Sequence, residues 1–294
     1  MVHLIDASVW VFRAYFSLPD SIRAPDGRPM NAVWGFAGFL GDLLDRAEPS
    51  HIAACFDESL SSSFRNERFP EYKANREPAP DDLKAQFADC KELCRALGIP
   101  ALSSTRYEAD DIIATLAKRA RRAKHAVTIV SRDKDLAQLL GPGDLLWDFA
   151  ADIAYDAHAI EQRFGVPPSR MTDWQGLVGD AVDNIPGVRG VGPKAATALI
   201  REYADLEGVY ANLAGVVELD LRGAKRLVEL LKAGREQAFM SRELATLHTE
   251  VPVTETLADL EWHGVDRTAF DALATEFGFG SGTRARLARL PKQH

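Results

Sequence analysis
The sequence predicts an α/β protein, with a mostly parallel central sheet flanked by helices and a smaller helical domain after it. Three observations carry this. Strand-like and helix-like runs alternate through the first half, strand signals nearly vanish after about residue 160, and acidic residues recur where the strand runs end. Strands separated by helices of this length imply parallel pairing with crossover connections.

"VHLID" (2–6) reads as a short buried strand, and "AVWGFAGFLGDLLDRA" (32–47) as a helix with an apolar face. "HIAACFD" (51–57) is a second strand, followed after a long polar connection by the helical period of "DDLKAQFADCKELCRALG" (81–98). "IPALSS" (99–104) gives a third strand, "EADDIIATLAKRARRAK" (108–124) a helix, and "AVTIVSRD" (126–133) a fourth strand. Beyond them "GPKAATALIREYA", "RGAKRLVELLKAGREQAFMSRELATL" and "DRTAFDALATEFG" all carry helical patterns. The expected division is 1–165 for the α/β domain, 166–262 for the helical domain, and 263–294 for a last helix and basic tail.

At 294 residues, 46% hydrophobic and 27% charged, the chain is long enough for two domains with real cores. No uncharged apolar run approaches the roughly 18 residues a membrane-spanning helix requires. The start, "MVHLIDASVW", lacks a basic region of the signal-peptide kind, so a cytoplasmic location is expected. Cys55, Cys90 and Cys94 read as buried reduced thiols. The net charge of −8 argues against a nucleic-acid partner only if its distribution is ignored. Residues 186–201 carry Arg189, Lys194 and Arg201 without an acid, "KRARRAK" (118–124) is densely basic, and Arg284, Arg286, Arg289 and Lys292 lie near the end.

The acids therefore require a local account. Asp6 ends the first strand and Asp57 the second; Glu108, Asp110 and Asp111 follow the third, and Asp133 and Asp135 the fourth. In an open parallel sheet these ends share one edge, where ligands bind. Singly, each acid could cap a helix or favour its positive end. Capping does not explain why all of them fall on one edge. Two carboxylates about 4 Å apart repel by about 4 kcal/mol at an effective dielectric of 20, a cost that divalent cations remove. Oxygen donors without histidine or cysteine favour Mg²⁺ or Mn²⁺. Asp180 and Asp183, one helical turn apart in "VGDAVDNIPG", extend the set if their helix docks against the rim. Nine carboxylates suit two ions, which could hold both the attacking and the leaving oxygen of a phosphodiester.

Two further segments have the composition of nucleic-acid contacts. The connection at 57–82 interleaves Arg65, Arg68, Lys73 and Arg76 with Phe64, Phe69 and Tyr72, as a lid over a nucleic acid would, although a plain surface loop has the same length. After the second acid pair, Gly187, Gly190 and Gly192 permit tight turns, and Pro193 suits the first turn of a helix. With Arg189 and Lys194, that helix start can bind phosphates without reading bases.

From "LIDASVWVFRAYF" through "ACFD", "FRNERFPEYKANR", "YEADDIIATLA" and "SRDKDLAQLL" to "GLVGDAVDNIPGVRGVGPKAA" and "LATLHTEV", the chain resembles the 5′-nuclease family. That family comprises the flap endonucleases, the 5′→3′ exonuclease region of bacterial DNA polymerase I and phage exonucleases, and the likeness spans residues 2–255. No polymerase sequence follows, so a stand-alone member is expected. The resemblance implies a PIN-like sheet domain and metal-dependent hydrolysis of DNA near 5′ ends and 5′ flaps in replication and repair. Its substrates would be flapped, nicked or gapped duplexes, RNA-primed ones included, and the protein would act as a monomer. A non-catalytic DNA junction-binding protein is the alternative.

By position, Asp6, Asp57, Glu108, Asp110 and Asp111 match the family's first metal group, and Asp133, Asp135, Asp180 and Asp183 the second. Lys73 and Arg76 match basic residues of a helical arch at about 58–84 that admits the 5′ strand. Arg13 matches a phosphate-contacting arginine and Tyr72 a base-stacking aromatic; Arg65 is taken as a further DNA contact. Residues 184–196 match a helix–hairpin–helix-like motif whose turn, at 185–192, can hold K⁺. Departures from the family are the serine-rich "ESLSSSFR", Arg132 before "DKD", the lack of a glycine or serine directly after the aspartate of "DASVW", and the loss of serines within "GDAVDN".

Overall fold
A computed structural model describes residues 1–58 and 63–292. Most of the serine run in the connection, at 59–62, lies outside the described residues. Six strands form one sheet: β1 (Val2–Asp6), β2 (His51–Asp57), β3 (Ala101–Ser104), β4 (Val127–Val130), β5 (Leu145–Asp148) and β6 (Ile153–Tyr155). Their order is β3-β2-β1-β4-β5-β6; all pairs are parallel except β5–β6, which is antiparallel. The mostly parallel sheet is as expected. The last two strands, only four and three residues long, had no distinct signal in the sequence.

The first half also holds α1 (Ala7–Ser17), α2 (Asn31–Ala47), α3 (Phe64–Arg68), α4 (Asp81–Ala96) and α5 (Ala109–Arg122). Alternate side chains of the strands face opposite ways. Ile5, Ile52, Ala54 and Phe56 pack with α1, α2 and α4, whereas Leu4, Ala53 and Cys55 pack with α5. All three cysteines are buried and free.

The second half comprises α6 (Ala157–Phe164), α7 (Met171–Val178), α8 (Pro193–Tyr203), α9 (Leu206–Ala211), α10 (Ala224–Ala233) and α11 (Arg235–Ala245). Trp174, Leu199, Leu206 and Leu231 belong to the same core as α5 and Leu4, so the apolar interior runs unbroken from sheet to helices. α12 (Arg267–Glu276) and α13 (Ser281–Leu287) return to the opposite core, where Phe270, Phe277 and Leu287 are buried. The expected single helix and basic tail is thus two docked helices. Arg284 donates to the carbonyls of Ala274 and Phe279, and Arg286 pairs with Asp42.

From β1 the chain moves outward through β2 to β3, then returns to β4 on the other side of β1. The seam between β1 and β4 is the switch point of the sheet, where a crevice opens at the carboxyl ends.

Candidate metal and nucleic-acid site
Asp6 stands at this seam, 4% exposed, and accepts a 2.7 Å hydrogen bond from Ser131 Oγ across it. Asp57, at the end of β2, accepts from the Ala109 amide at the start of α5 (2.9 Å), which places it beside Asp110 in the first turn. Beyond β4, Asp133 accepts from the Asp135 amide, and Asp135 from Gln175 Nε2 on α7. Burial and then the Asp57 charge push the Asp6 carboxyl up to about 7. Burial followed by Asp133 pushes Asp135 up to about 7, and burial with Asp6, Asp133 and Asp57 raises Asp110. Burial also raises Asp133. These carboxylates are close enough to oppose one another's ionisation.

Among the described residues, no three acidic, histidine or cysteine side chains already form a cage that could hold an ion. Cations from other elements approach the acids instead. Lys73 Nζ lies 2.9 Å from Glu108 and 3.7 Å from Asp183, Arg76 pairs with Asp183, and Lys134 pairs with Asp180. A divalent ion nevertheless fits the donor chemistry: the clustered groups are hard carboxylate oxygens whose mutual repulsion a cation would relieve.

Asp111 does not fit that role, which corrects the sequence expectation. It is fully buried, and both its oxygens are already used twice. Oδ1 accepts from Arg65 Nη2 (2.8 Å) and the His248 amide (2.7 Å); Oδ2 accepts from Arg65 Nη1 (2.7 Å) and the Glu108 amide (3.1 Å). A carboxylate offers about four acceptor sites, so none is left for a metal. Arg65 is corrected with it. Expected on DNA, it is 1% exposed and donates in addition to the carbonyls of Leu244 and Thr246.

The second acid pair is not helical. α7 ends at Val178, Gly179 turns at φ +76°, and Asp180 and Ile185 exchange backbone hydrogen bonds of 2.8 and 2.7 Å. Asp180 and Asp183 therefore sit on a closed turn, with Asp180 Oδ1 also accepting from the Val182 amide. A side chain on Gly187 (φ +59°) would meet the Gly179 nitrogen at 2.3 Å, so two backbones cross here. Gly187 is buried and donates to Ser241 Oγ, which corrects its assignment as a DNA contact. Arg189, Gly190, Gly192 and Lys194 are exposed where α8 begins at Pro193.

In the 58–84 connection, the turn after α3 grips this acidic turn. The Lys73 amide donates to Asp183 O, Asn75 to Ala181 O, and Asn184 to Glu71 O. Tyr72 is 3% exposed, with its hydroxyl 3.1 Å from Glu108 and 3.2 Å from Asp183, so its ring is inside the site rather than presented to a base as expected. Arg13 is exposed on α1, with its guanidinium over the Trp10 ring. Sequence reasoning passed over Ser131, Gln175 and Lys134. Only Lys134 had a signal, its place between the acids of "DKD".

Known proteins resemble this chain in sequence and in fold. The chain is 40% identical to DNA polymerase I of Bacillus caldotenax over 282 residues, 95% of this chain and 31% of that protein. It is 39% identical to DNA polymerase I of Rhizobium leguminosarum over 257 residues, 85% of this chain and 25% of that protein. The chain thus spans a third or less of the length of these relatives. A flap endonuclease of bacteriophage T5, solved as a pseudo-enzyme–product complex with DNA and metal ions, has the same fold at TM-score 0.68 and 22% identity, covering 98% of this chain and 97% of that one. The catalytic core of Rad2 in complex with DNA substrate superimposes at TM-score 0.65 and 17% identity, over 97% and 90% of the two chains. Residues 1–165 match the 5′-3′ exonuclease N-terminal resolvase-like domain and residues 166–268 the 5′-3′ exonuclease C-terminal SAM fold. With both matches in sequence order, and acids from each meeting at the switch point, the chain belongs to the 5′-3′ exonuclease family.

Proposed function
We propose that this protein is a structure-specific 5′ nuclease that hydrolyses DNA phosphodiesters at 5′ ends and 5′ flaps with Mg²⁺ or Mn²⁺. The observation that carries the reading is the carboxylate cluster at the β1–β4 seam, whose members raise one another's proton affinity. Asp6, Asp57, Glu108 and Asp110 would hold one ion, and Asp133, Asp135, Asp180 and Asp183 another. Such ions, when bound, supply a water of lowered pKa and stabilise the charge on the departing oxygen.

The chain's own groups do the remaining work. Lys73 and Arg76 approach Glu108 and Asp183 from the arch. With those carboxylates engaged by cations, a phosphate becomes the anion available to both, and charge building on its oxygens is offset in a shielded setting. Arg13, exposed beside Trp10, would contact the strand on the α1 side. Arg189, Lys194 and the free backbone at Gly190 and Gly192 would hold duplex phosphates at the start of α8 and fix register without reading bases. A K⁺ held by the 185–192 turn would add to that surface. Residues 1–165 would thus supply most of the chemistry, 166–262 the duplex grip together with Asp180 and Asp183, and α12 and α13 a brace on α2 and α4.

Replication and repair, with flapped, nicked or RNA-primed duplexes as substrates and a monomeric enzyme, suit this reading. Among the described residues, no helix is long and apolar enough to cross a membrane. The test is a 5′-flapped duplex labelled on the flap strand, incubated with Mg²⁺, with Mn²⁺ and with chelator. Strand shortening that needs the cation and is lost in Asp6→Asn supports the proposal. A mobility shift without shortening would instead identify a junction-binding protein.

A further inference from the structure
A second concavity lies behind the acid cluster. It is a groove of about 800 Å³ between α3 and the far side of α11. Phe64 and Arg68, one turn apart on α3, form one wall; Arg235, Phe239 and Met240 on α11 form the other, and His248 closes an end. α3 is a partition, because Arg65 faces the acids while Phe64 faces the groove. Leu247 lines both spaces.

The lining sets aromatic rings beside charges of both signs, Arg68, Arg235 and Arg242 against Glu236 and Glu243. The His248 ring is stacked on Tyr107 at 4.9 Å and lies 6.0 Å from Phe64, which makes a broad aromatic wall. Arg235 is exposed, lies over the rings of Tyr210 and Phe239, and makes no ion pair among the described residues. Among the described residues Arg68 is held only by an exposed pair with Glu243 at 3.0 Å across the groove, a weak contact in water that a phosphate can displace. Aromatic rings for bases, beside one guanidinium without an ion pair and one in a displaceable pair for phosphates, are the elements of a single-strand binding surface. A volume of this size can enclose a nucleotide.

The geometry points to this groove as a binding site for the displaced 5′ single strand after it passes the acid cluster, with bases stacked on Phe64 and Phe239 and phosphates on Arg235 and Arg68. The inference rests on the 5′-flap reading and extends it to the unpaired strand.

The test measures anisotropy in chelator, where no cleavage occurs, on a nicked duplex without a flap and on the same duplex with a long single-stranded flap. Arg235→Ala removes an exposed side chain, and Phe239→Leu keeps apolar bulk while removing the ring. Each weakens binding of the long-flap duplex by about fivefold or more and leaves the flapless duplex unchanged. A photoreactive base in the flap crosslinks to residues 235–248 in the unsubstituted protein. Equal losses on both duplexes, or none on either, overturn the assignment. If the unsubstituted protein cuts flaps while both variants hold the long flap normally, the groove serves another partner, such as a peptide. If the unsubstituted protein cuts no DNA, the functional reading itself fails.

Discussion

Asp111 and Asp110 are neighbours in sequence but differ in surroundings, Asp111 being paired with Arg65 and Asp110 standing among other carboxylates, and opposite roles are proposed for them. Replacing each by asparagine tests this. Asp111 is fully buried against an Arg65 side chain that is 1% exposed, and the guanidinium has no other carboxylate closer than Glu108 at 3.6 Å. Asp111→Asn leaves a buried cation facing a neutral amide whose NH2 donates where one of the two accepting oxygens stood. Breaking a buried pair in this way costs about 3–5 kcal/mol, and at about 2 °C per kcal/mol for a chain of this size Tm falls by about 6–10 °C. Asp110 is the reverse case. Its carboxyl is held well above the usual range by burial and by Asp6, Asp133 and Asp57, so the ionised form costs stability at neutral pH. Asp110→Asn therefore raises Tm in chelator and diminishes the rise that Mg²⁺ produces. Thermal melts of the three proteins at pH 7.5, with chelator and with Mg²⁺, decide the matter. An Asp111→Asn protein that melts normally in chelator but has lost its response to Mg²⁺ would show Asp111 to be a ligand and refute this account.

Three other outcomes follow from the same geometry. Lys73→Ala lowers single-turnover cleavage by about 100-fold or more while duplex affinity changes little, because its ammonium lies among the acids and away from the α8 surface; parallel measurement of both quantities checks it. In chelator, stability falls as pH rises from about 4 to 7: Asp6 and Asp135, at about 7 in the folded state against 3.8 ordinarily, hold protons that the unfolded chain has released. The gap between melts with and without Mg²⁺ should widen over that range, and a constant gap would contradict it. Gly187→Ala destabilises by at least about 2–3 kcal/mol through its left-handed φ and the Gly179 backbone, whereas Gly192→Ala, with nothing within 4 Å, keeps the fold and weakens duplex binding. Urea unfolding and anisotropy separate the two.

What could be read from the sequence followed from local pattern. β1, β2, β3 and β4 are apolar runs closed by polar residues, and parallel pairing alone brings their ends to one edge, so the carboxylate rim could be reasoned without a strand order. β5 is as short as β3 and β4 but follows β4 without an α-helix to mark a crossover, and β6 has only three residues. Arg65 could not be placed, because its partners lie 46 residues away at Asp111 and 179 away at Leu244, and nothing in "FRNER" distinguishes an inward arginine from an outward one. Asp180 and Asp183 misled by their spacing, which suits a helix as well as a tight turn. The corrective signal was present in Gly179 just before them and in Pro186–Gly187 just after, since a glycine on each side permits the crossing of backbones that closes the turn.

That turn also bears on how two distinct sequence patterns, one α/β and one helical, can contribute to one site. Acids from the sheet and acids from the helical half repel, so any freedom between the halves would let them part. Three features oppose this. The core of α5 continues into α7 and α8 without a boundary; Gln175 on α7 donates to Asp135 after β4; and the turn after α3 is bonded to residues 181–184 through the Lys73 amide, the Asn75 side chain and the Asn184 side chain. The cations that balance the acids, Lys73, Arg76 and Lys134, come from the arch and from within the acidic loop itself, and not from the distant basic stretches at 118–124 or near the end of the chain. A lysine or arginine standing on the acids is held at the place where a phosphate would need it. The opposing charge that makes the carboxylate cluster tolerable without ions thus also poises the groups that would meet the substrate once ions are bound, and this is why the arch docks on the acids and not on open solvent.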